Sequence, residues 1–222
     1  NGEQRYAETG KTFFQGLFFL QILAVLLCLL SKIFSPVLLK HLITSDDVYN
    51  AVIRYLDWRI WGLLFSFPFL ALRSFLVGIT QTKALNMAAF TAVLVNIPLN
   101  WLLIFGFDMG ISGAAIASSF AEMCSLAVLA AYMFRHIDKK AYGLYWRIDI
   151  TVLKEVFSIS VWSMLQFFTS VAIWFLFFVA IERLGETELA VSNIVRSVSA
   201  LFSVIVNALA GVTGSLVSNL IG

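Results

Sequence analysis

The sequence predicts an all-α, polytopic helical membrane protein with six transmembrane helices. Of its 222 residues, 60% are hydrophobic and 13% are charged, and the mean hydropathy is +0.91. Soluble domains carry about 25% charged residues. The apolar residues form long continuous runs, whereas a transmembrane barrel shows short alternating segments. Each run reaches the ~20 residues that a helix needs to cross a bilayer.

The runs follow one another with few polar interruptions. The predicted spans are residues 12–34, 56–79, 84–106, 111–134, 152–181 and 189–220. The first contains Lys32, and the second contains Arg59, Pro68 and Arg73, so its outer end is more polar than a lipid-facing helix should be. Residues 36–50 are predicted to be a connection with a short amphipathic piece and a turn at Ser45.

The later connections indicate how the chain is divided. Residues 107–110 form a loop of four, so the third and fourth spans are predicted to be antiparallel neighbours. The small residues that open the fourth span favour close helix packing. The most polar stretch is 135–149, and the loop 135–151 is the one candidate linker. It separates residues 1–134, with four spans, from residues 152–222, with two.

The orientation follows from lysine and arginine, which accumulate on the cytoplasmic side. Eight basic residues lie on the side of the N-terminal segment and the 135–151 loop, and four lie on the other. The eight are Arg5, Lys11, Lys83, Arg135, Lys139, Lys140, Arg147 and Lys154, and the four are Lys32, Lys40, Arg54 and Arg183. The loop is therefore predicted to be cytoplasmic.

Several functional classes find no support in the residues. His41 and His136 stand in connections without metal-ligand spacing, and no phosphate loop or nucleophile elbow is present. The chain is therefore not expected to be an enzyme or to hold a cofactor. Its net charge of +2 is too small to indicate nucleic acid binding. Cys28 and Cys124 fall within apolar runs, where they are expected to be small core residues.

Four polar side chains lie inside the third and fourth spans. Counted from the shared outer loop, Asn100 and Ser118 lie about 9–10 Å deep, and Asn96 and Glu122 about 15–16 Å deep. Each pair on one helix is spaced i,i+4 and shares a face. The count therefore predicts facing pairs, Asn96 with Glu122 and Asn100 with Ser118.

These residues are consistent with an ion or proton site, because Pro98 also frees a backbone carbonyl beside them. The alternative is that Asn96, Asn100 and Ser118 only join two helices by hydrogen bonds. For Glu122 the functional interpretation is favoured, since a buried carboxyl is costly to retain. Bound Na⁺ at Asn96, Asn100 and Glu122 is one form of such a site.

Two arginines within spans are candidate cavity or substrate residues. Arg73 lies near the inner end of the second span, where its alternative role is an interfacial anchor. Arg196 lies about 10 Å into the sixth span, where it could pair with an acidic group or face the outer vestibule.

The order of these motifs resembles the multidrug and toxic compound extrusion (MATE) transporters. The run LRSFLVGITQTK is similar to the family's LRGxGxTK, and N-x3-N-W-x-L-I-F-G followed by GAAIAS is similar to its fifth and sixth helices. The last 35 residues look like its eighth helix. The resemblance implies that the chain is a fragment covering helices three to eight of twelve. The loop 135–151 would then join an N-terminal and a C-terminal lobe.

What the resemblance implies is antiport: H⁺ or Na⁺ enters while organic cations or other amphipathic compounds leave by alternating access. In one branch, an Asn and an Asp on helix five and a Thr on helix six bind the cation. Here Asn96 matches the Asn, while Asn100 and Ser118 stand in place of the other two. The helix-seven glutamate of another branch has no counterpart, and Glu122 is a candidate replacement.

The expected setting is the cell inner membrane, with a small-molecule substrate, a lipid bilayer around a monomer and no nucleic acid partner. Two alternatives stay open. A lipid-linked oligosaccharide flippase of the same superfamily would carry several basic residues in its cavity for a pyrophosphate. A non-transporting membrane scaffold would have no need of polar residues at matched depth.

Overall fold

The computed structural model describes residues 6–43, 46–138, 140–144, 149–182 and 185–221, and these ranges contain no β-strand. Six helices follow one another: α1 Tyr6–Leu42, α2 Asp46–Gly78, α3 Lys83–Trp101, α4 Gly110–His136, α5 Ile150–Glu182 and α6 Glu186–Ile221. All six are long and apolar enough to cross a membrane. The predicted all-α, multi-pass membrane fold is confirmed.

The predicted bounds of the first two spans are too short. α1 continues through Pro36 to Leu42, because a proline inside a helix removes only one backbone donor. α2 begins at Asp46 instead of residue 56, and its acidic first turn favours a helix N-terminus while lowering the local hydropathy. Most of the predicted connection 36–50 is therefore helical. Ser45, placed in a turn by the sequence, lies outside the described residues.

Residues 3–149 and 150–221 fall into two compact units, apart from the masked positions. In the first unit, α1 packs on α2, α2 on α4 and α4 on α3, while α2 and α3 make little contact. We call the end at the loop 107–109 the outer end and the end at 79–82 the inner end. These names follow the orientation predicted from twelve basic residues. Four of the twelve, Arg5, Lys139, Arg147 and Arg183, lie outside the described residues.

The apolar core of the first unit lies toward the inner end. Leu76 of α2 and Leu129 of α4 are fully buried, with Ala84 and Ala88 of α3 beside them. Between transmembrane helices such packing is driven by van der Waals contact and not by removal of apolar surface from water. The largest buried side chains therefore lie at the inner end, while the outer half combines small buried residues such as Ala115 and Ala117 with polar contacts.

The segment 140–144 folds back on the start of α1. The Tyr142 ring packs against Tyr6 and Phe75, with centroids 5.1 and 5.8 Å apart. Burial, and then the nearby Tyr6, raise the pKa of the Tyr142 phenol. Lys11 of α1 also pairs with Asp149 at 2.6 Å. The described part of the predicted inter-lobe loop is thus anchored to the first unit.

The hairpin of α3 and α4 has an irregular outer end. After Trp101 the helix continues as a π-helical turn, Leu102–Gly106, which follows Pro98 by one turn. A Cβ added to Gly113 of α4 would lie 2.9 Å from the Leu103 carbonyl carbon. A glycine at position 113 therefore allows the backbones of the two helices to touch, as the small residues predicted.

The second unit consists of α5 and α6. Trp174, Phe177 and Phe178 form an aromatic cluster on α5, with Trp174 and Phe177 centroids 5.7 Å apart. In each helix, no residue of the most apolar 18-residue stretch is buried by the described part of the chain. Both helices therefore present apolar surface along their length.

Candidate functional site

An intramembrane ion pair joins α2 to α4. Arg59 donates from Nη2 to Oε1 of Glu122 at 2.5 Å and from Nη1 to Oε2 at 2.9 Å. The Ser66 hydroxyl lies 2.5 Å from the same Oε2. A bidentate guanidinium–carboxylate pair is the strongest and most directional form of this interaction. Both carboxylate oxygens of Glu122 are thus occupied by donors from α2.

Glycine at position 62 makes room for this arrangement. Arg59, Gly62 and Ser66 are spaced three and four residues apart, so they follow one face of α2. A Cβ at Gly62 would collide with Nη1 of Arg59 and come within 3.2 Å of Oε2 of Glu122. The guanidinium therefore lies flat against the backbone of α2 on its way to α4.

The sequence places Arg59 in the second span, and its pairing with Glu122 was not predicted. A signal was available, because α2 and α4 both begin at the outer end. Arg59 lies about 20 Å from the start of α2 and Glu122 about 18 Å from the start of α4. The pairing was missed because the second span was begun ten residues late, which put Arg59 near the membrane surface and Asp57 at a span end. Asp57 instead lies inside α2, paired with Lys32.

A second polar group lies between α3 and α4. Asn100 donates from Nδ2 to Oδ1 of Asn96 at 2.8 Å, and Asn96 donates from Nδ2 to the Ser118 hydroxyl at 3.4 Å. All three side chains are half-buried. This amide chain has no charged member, in contrast to the ion pair one turn further along α4.

The pairing between α3 and α4 differs from the depth count by one turn. Asn96 bonds to Ser118, where Asn100 was expected, and Glu122 accepts its hydrogen bonds from α2. The π-helical turn at Leu102–Gly106 lies between Asn96 and the outer end, and the count at a constant α-helical rise did not include it. Pro98 lies between the two asparagines, inside α3 as predicted.

α4 is the element that brings the two polar groups side by side. Ser118 faces α3, and Glu122, one turn further, faces α2. Among the described residues, no group of three or more His, Cys, Asp or Glu side chains could hold a metal ion. The arrangement offers one carboxylate, already paired with an arginine, next to a row of neutral amides.

The two other candidate arginines are exposed. Arg73 lies near the inner end of α2, away from Glu122 and the amide chain within the first unit. Arg196 is exposed on α6, in the second unit, with its Cζ 5.2 Å from the centroid of the Phe178 ring, which is cation–π distance.

Comparisons with known proteins agree with the fold. Residues 1–102 match the family model described as MatE. A probable multidrug resistance protein NorM of Shewanella oneidensis is 28% identical over 174 residues, which is 75% of this chain and 38% of that protein. A protein of the same name from Geobacillus kaustophilus is 30% identical over 61% of this chain and 31% of its own length.

A similar fold occurs among solved structures. The crystal structure of the eukaryotic MATE transporter AtDTX14 superimposes with a TM-score of 0.62 at 23% identity, over 70% of this chain and 34% of that one. At that identity the likeness concerns the fold alone. The chain thus spans about a third of the length of the curated relatives and of the solved structure it matches.

Proposed function

Because this chain belongs to the MATE family, we propose that it is part of a cation-coupled antiporter that exports organic cations or other amphipathic compounds. The activity is that of the whole protein, acting by alternating access as a monomer in the cell inner membrane. The coupling ion is H⁺ or Na⁺, and the substrate is a small molecule. The NorM relatives are named as multidrug resistance proteins, which supports export of varied compounds over an enzymatic reaction.

Glu122 is the observation that carries the coupling proposal. It is a half-buried carboxylate near the middle of α4, one helical turn from Ser118, which accepts a hydrogen bond from the amide chain of Asn96 and Asn100. A membrane-embedded carboxylate is the group that cation-driven transporters use, because it can take a proton or ligate Na⁺. We assign to Glu122 the binding of the driving cation, and to the amide chain the polar environment around it.

The flippase alternative finds less support in the described residues. Recognition of a pyrophosphate needs basic side chains that are not already neutralised. Arg59 is engaged with Glu122, and Arg73 is exposed near the inner end of α2, apart from the polar groups. Arg196 is exposed on α6, where it lies over the Phe178 ring. Cation-coupled export therefore accounts for the charges better.

The test is efflux of a fluorescent organic cation from cells that express the full-length protein, with pH and Na⁺ gradients imposed separately. Glu122→Gln alone would leave the Arg59 guanidinium without its counter-charge, which by itself destabilises a pair of this kind. The informative variant is therefore Glu122→Gln combined with Arg59→Gln, which removes both charges and leaves two polar side chains that can still form hydrogen bonds. Lys32→Gln, which breaks the exposed pair with Asp57, is the matched control.

We expect the double variant to reach the membrane at normal levels and to lose gradient-driven efflux, while Lys32→Gln keeps it. Efflux by the double variant with the wild-type dependence on both gradients would show that Glu122 is only a structural partner of Arg59. Efflux lost in Lys32→Gln as well would show a general effect of breaking ion pairs in this region.

A further inference from the structure

Three donors already approach Glu122: Oε1 accepts from Arg59, and Oε2 accepts from Arg59 and lies within hydrogen-bond distance of Ser66. A carboxylate offers about four lone-pair positions, so little more than one position on Oε1 is left. A guanidinium keeps its proton and its charge under all ordinary conditions. A Na⁺ ion or a proton that approaches Glu122 is therefore repelled by this charge, and it can use the positions on which Arg59 donates only when Arg59 gives up a bond.

Both α2 partners of Glu122 have a second acceptor or partner within reach. The Ser66 hydroxyl lies 3.0 Å from the Gly62 carbonyl oxygen, so it can turn from the carboxylate to its own helix. Arg59 also interacts with Tyr55, one turn earlier on α2. Release from Glu122 therefore does not leave either side chain without a polar neighbour.

The pair is also accessible enough to open. About a third of each side chain is exposed, 29% for Arg59 and 31% for Glu122. The Nη1 atom of Arg59 lies over Gly62, and the Ser119 hydroxyl of α4 lies 2.7 Å from where a Cβ on Gly62 would stand. A fully enclosed pair would have to move against packed side chains on every side, whereas this pair is partly exposed.

We propose that Arg59 is an internal cation that competes with the transported cation for Glu122. In the described state the guanidinium occupies the carboxylate and joins α2 to α4. Binding of H⁺ or Na⁺ displaces it, so that occupancy of the site and the link between the two helices exclude each other. The inference rests on the proposed coupling role of Glu122 and adds the residue that sets the cation affinity of the site.

If Arg59 competes with the transported cation, weakening the bond between Arg59 and Glu122 should raise the cation affinity of Glu122 in steps. Arg59→Lys keeps the charge but loses the bidentate fork, and Arg59→Gln removes the charge. Gly62→Ala leaves every charge in place but occupies the space of the guanidinium. All three variants should raise the affinity of Glu122 for a small cation above that of wild type. Between the two Arg59 variants, the increase should be larger for Arg59→Gln than for Arg59→Lys.

The experiment measures equilibrium binding of radioactive sodium to the purified full-length protein at fixed pH, and proton uptake on a pH step without Na⁺. We expect the concentration for half-saturation to fall roughly tenfold in Arg59→Gln, because a bidentate competitor has been removed. The half-saturation concentration of Arg59→Lys should lie between those of wild type and Arg59→Gln, and that of Lys32→Gln should equal the wild-type value. Because Gly62→Ala retains Arg59, it provides the same readout if Arg59→Gln does not fold.

The results separate this inference from the proposed function. Suppose that the concentration for half-saturation is unchanged in the Arg59 and Gly62 variants, while the double variant of Glu122 and Arg59 loses coupling. This result overturns the competition and leaves the coupling role of Glu122 intact. Coupling retained in that double variant overturns the coupling role itself. If Arg59 had a purely structural role, its replacement would lower the melting temperature without tightening cation binding. This result too would overturn the competition.

Discussion

Asn100 donates a hydrogen bond from its amide nitrogen to the amide oxygen of Asn96, one turn earlier on α3, at 2.8 Å. Asn96 in turn donates to the Ser118 hydroxyl on α4. The donors therefore all point the same way, from the outer residue of α3 toward α4. This direction is a property of the side-chain chemistry, so a substitution can reverse it.

Replacing Asn100 with aspartate is expected to reverse the amide chain without breaking it. A carboxylate has no N–H, so Asn96 must turn its nitrogen toward position 100 and present its oxygen to Ser118, whose hydroxyl can donate. The variant also adds an ionisable group beside α4. We expect a folded protein whose efflux depends more steeply on external pH than that of wild type.

Initial efflux rates of the full-length protein over a series of external pH values would measure this effect. Asn100→Leu, of similar size but unable to hydrogen-bond, is the control and should weaken efflux at every pH. Superimposable pH profiles for Asn100→Asp and wild type would exclude position 100 from the coupling environment.

Gly113→Ala is expected to destabilise the hairpin of α3 and α4. The added Cβ would lie 2.9 Å from the Leu103 carbonyl carbon and 3.0 Å from its oxygen, and backbone atoms of a helix cannot rotate away. Overpacking of this kind costs about 1–3 kcal/mol, which exceeds the ~1 kcal/mol that alanine gains over glycine in helix propensity.

The melting temperature of the purified full-length protein would report the loss. Gly78→Ala is the matched control, because a Cβ there meets nothing within 4 Å, and its melting temperature should stay level or rise. Equal melting temperatures for the two variants would mean that α4 does not approach the backbone of α3 at this point.

The predicted orientation can be tested by labelling single cysteines in a background without Cys28 and Cys124. Phe107 in the outer loop and Lys140 in the inner segment are both exposed, so cysteines there should react without disturbing the core. A membrane-impermeant thiol reagent added to intact cells should label position 107 and leave position 140 unmodified. Labelling of position 140 and not of position 107 would mean that the orientation predicted from the basic residues is reversed.

The sequence by itself determined the fold class, because six long apolar runs have few alternatives to transmembrane helices. It also indicated that α3 and α4 form a hairpin, since a loop of four residues leaves no other neighbour. The small residues at the start of α4 and the i,i+4 spacing of Asn96 and Asn100 are local properties of a helix. The structure retains each of them.

The tertiary structure alone decided what Glu122 contacts. Arg59 is 63 residues away in sequence, on a helix that is not joined to α4 by a short loop, and connectivity gives no reason to place α2 beside α4. The π-helical turn also lies between Asn96 and the outer end, and a count at constant α-helical rise does not include it. Adjacency of non-consecutive helices and local departures from ideal rise arise from packing between helices, and they decided which polar groups meet.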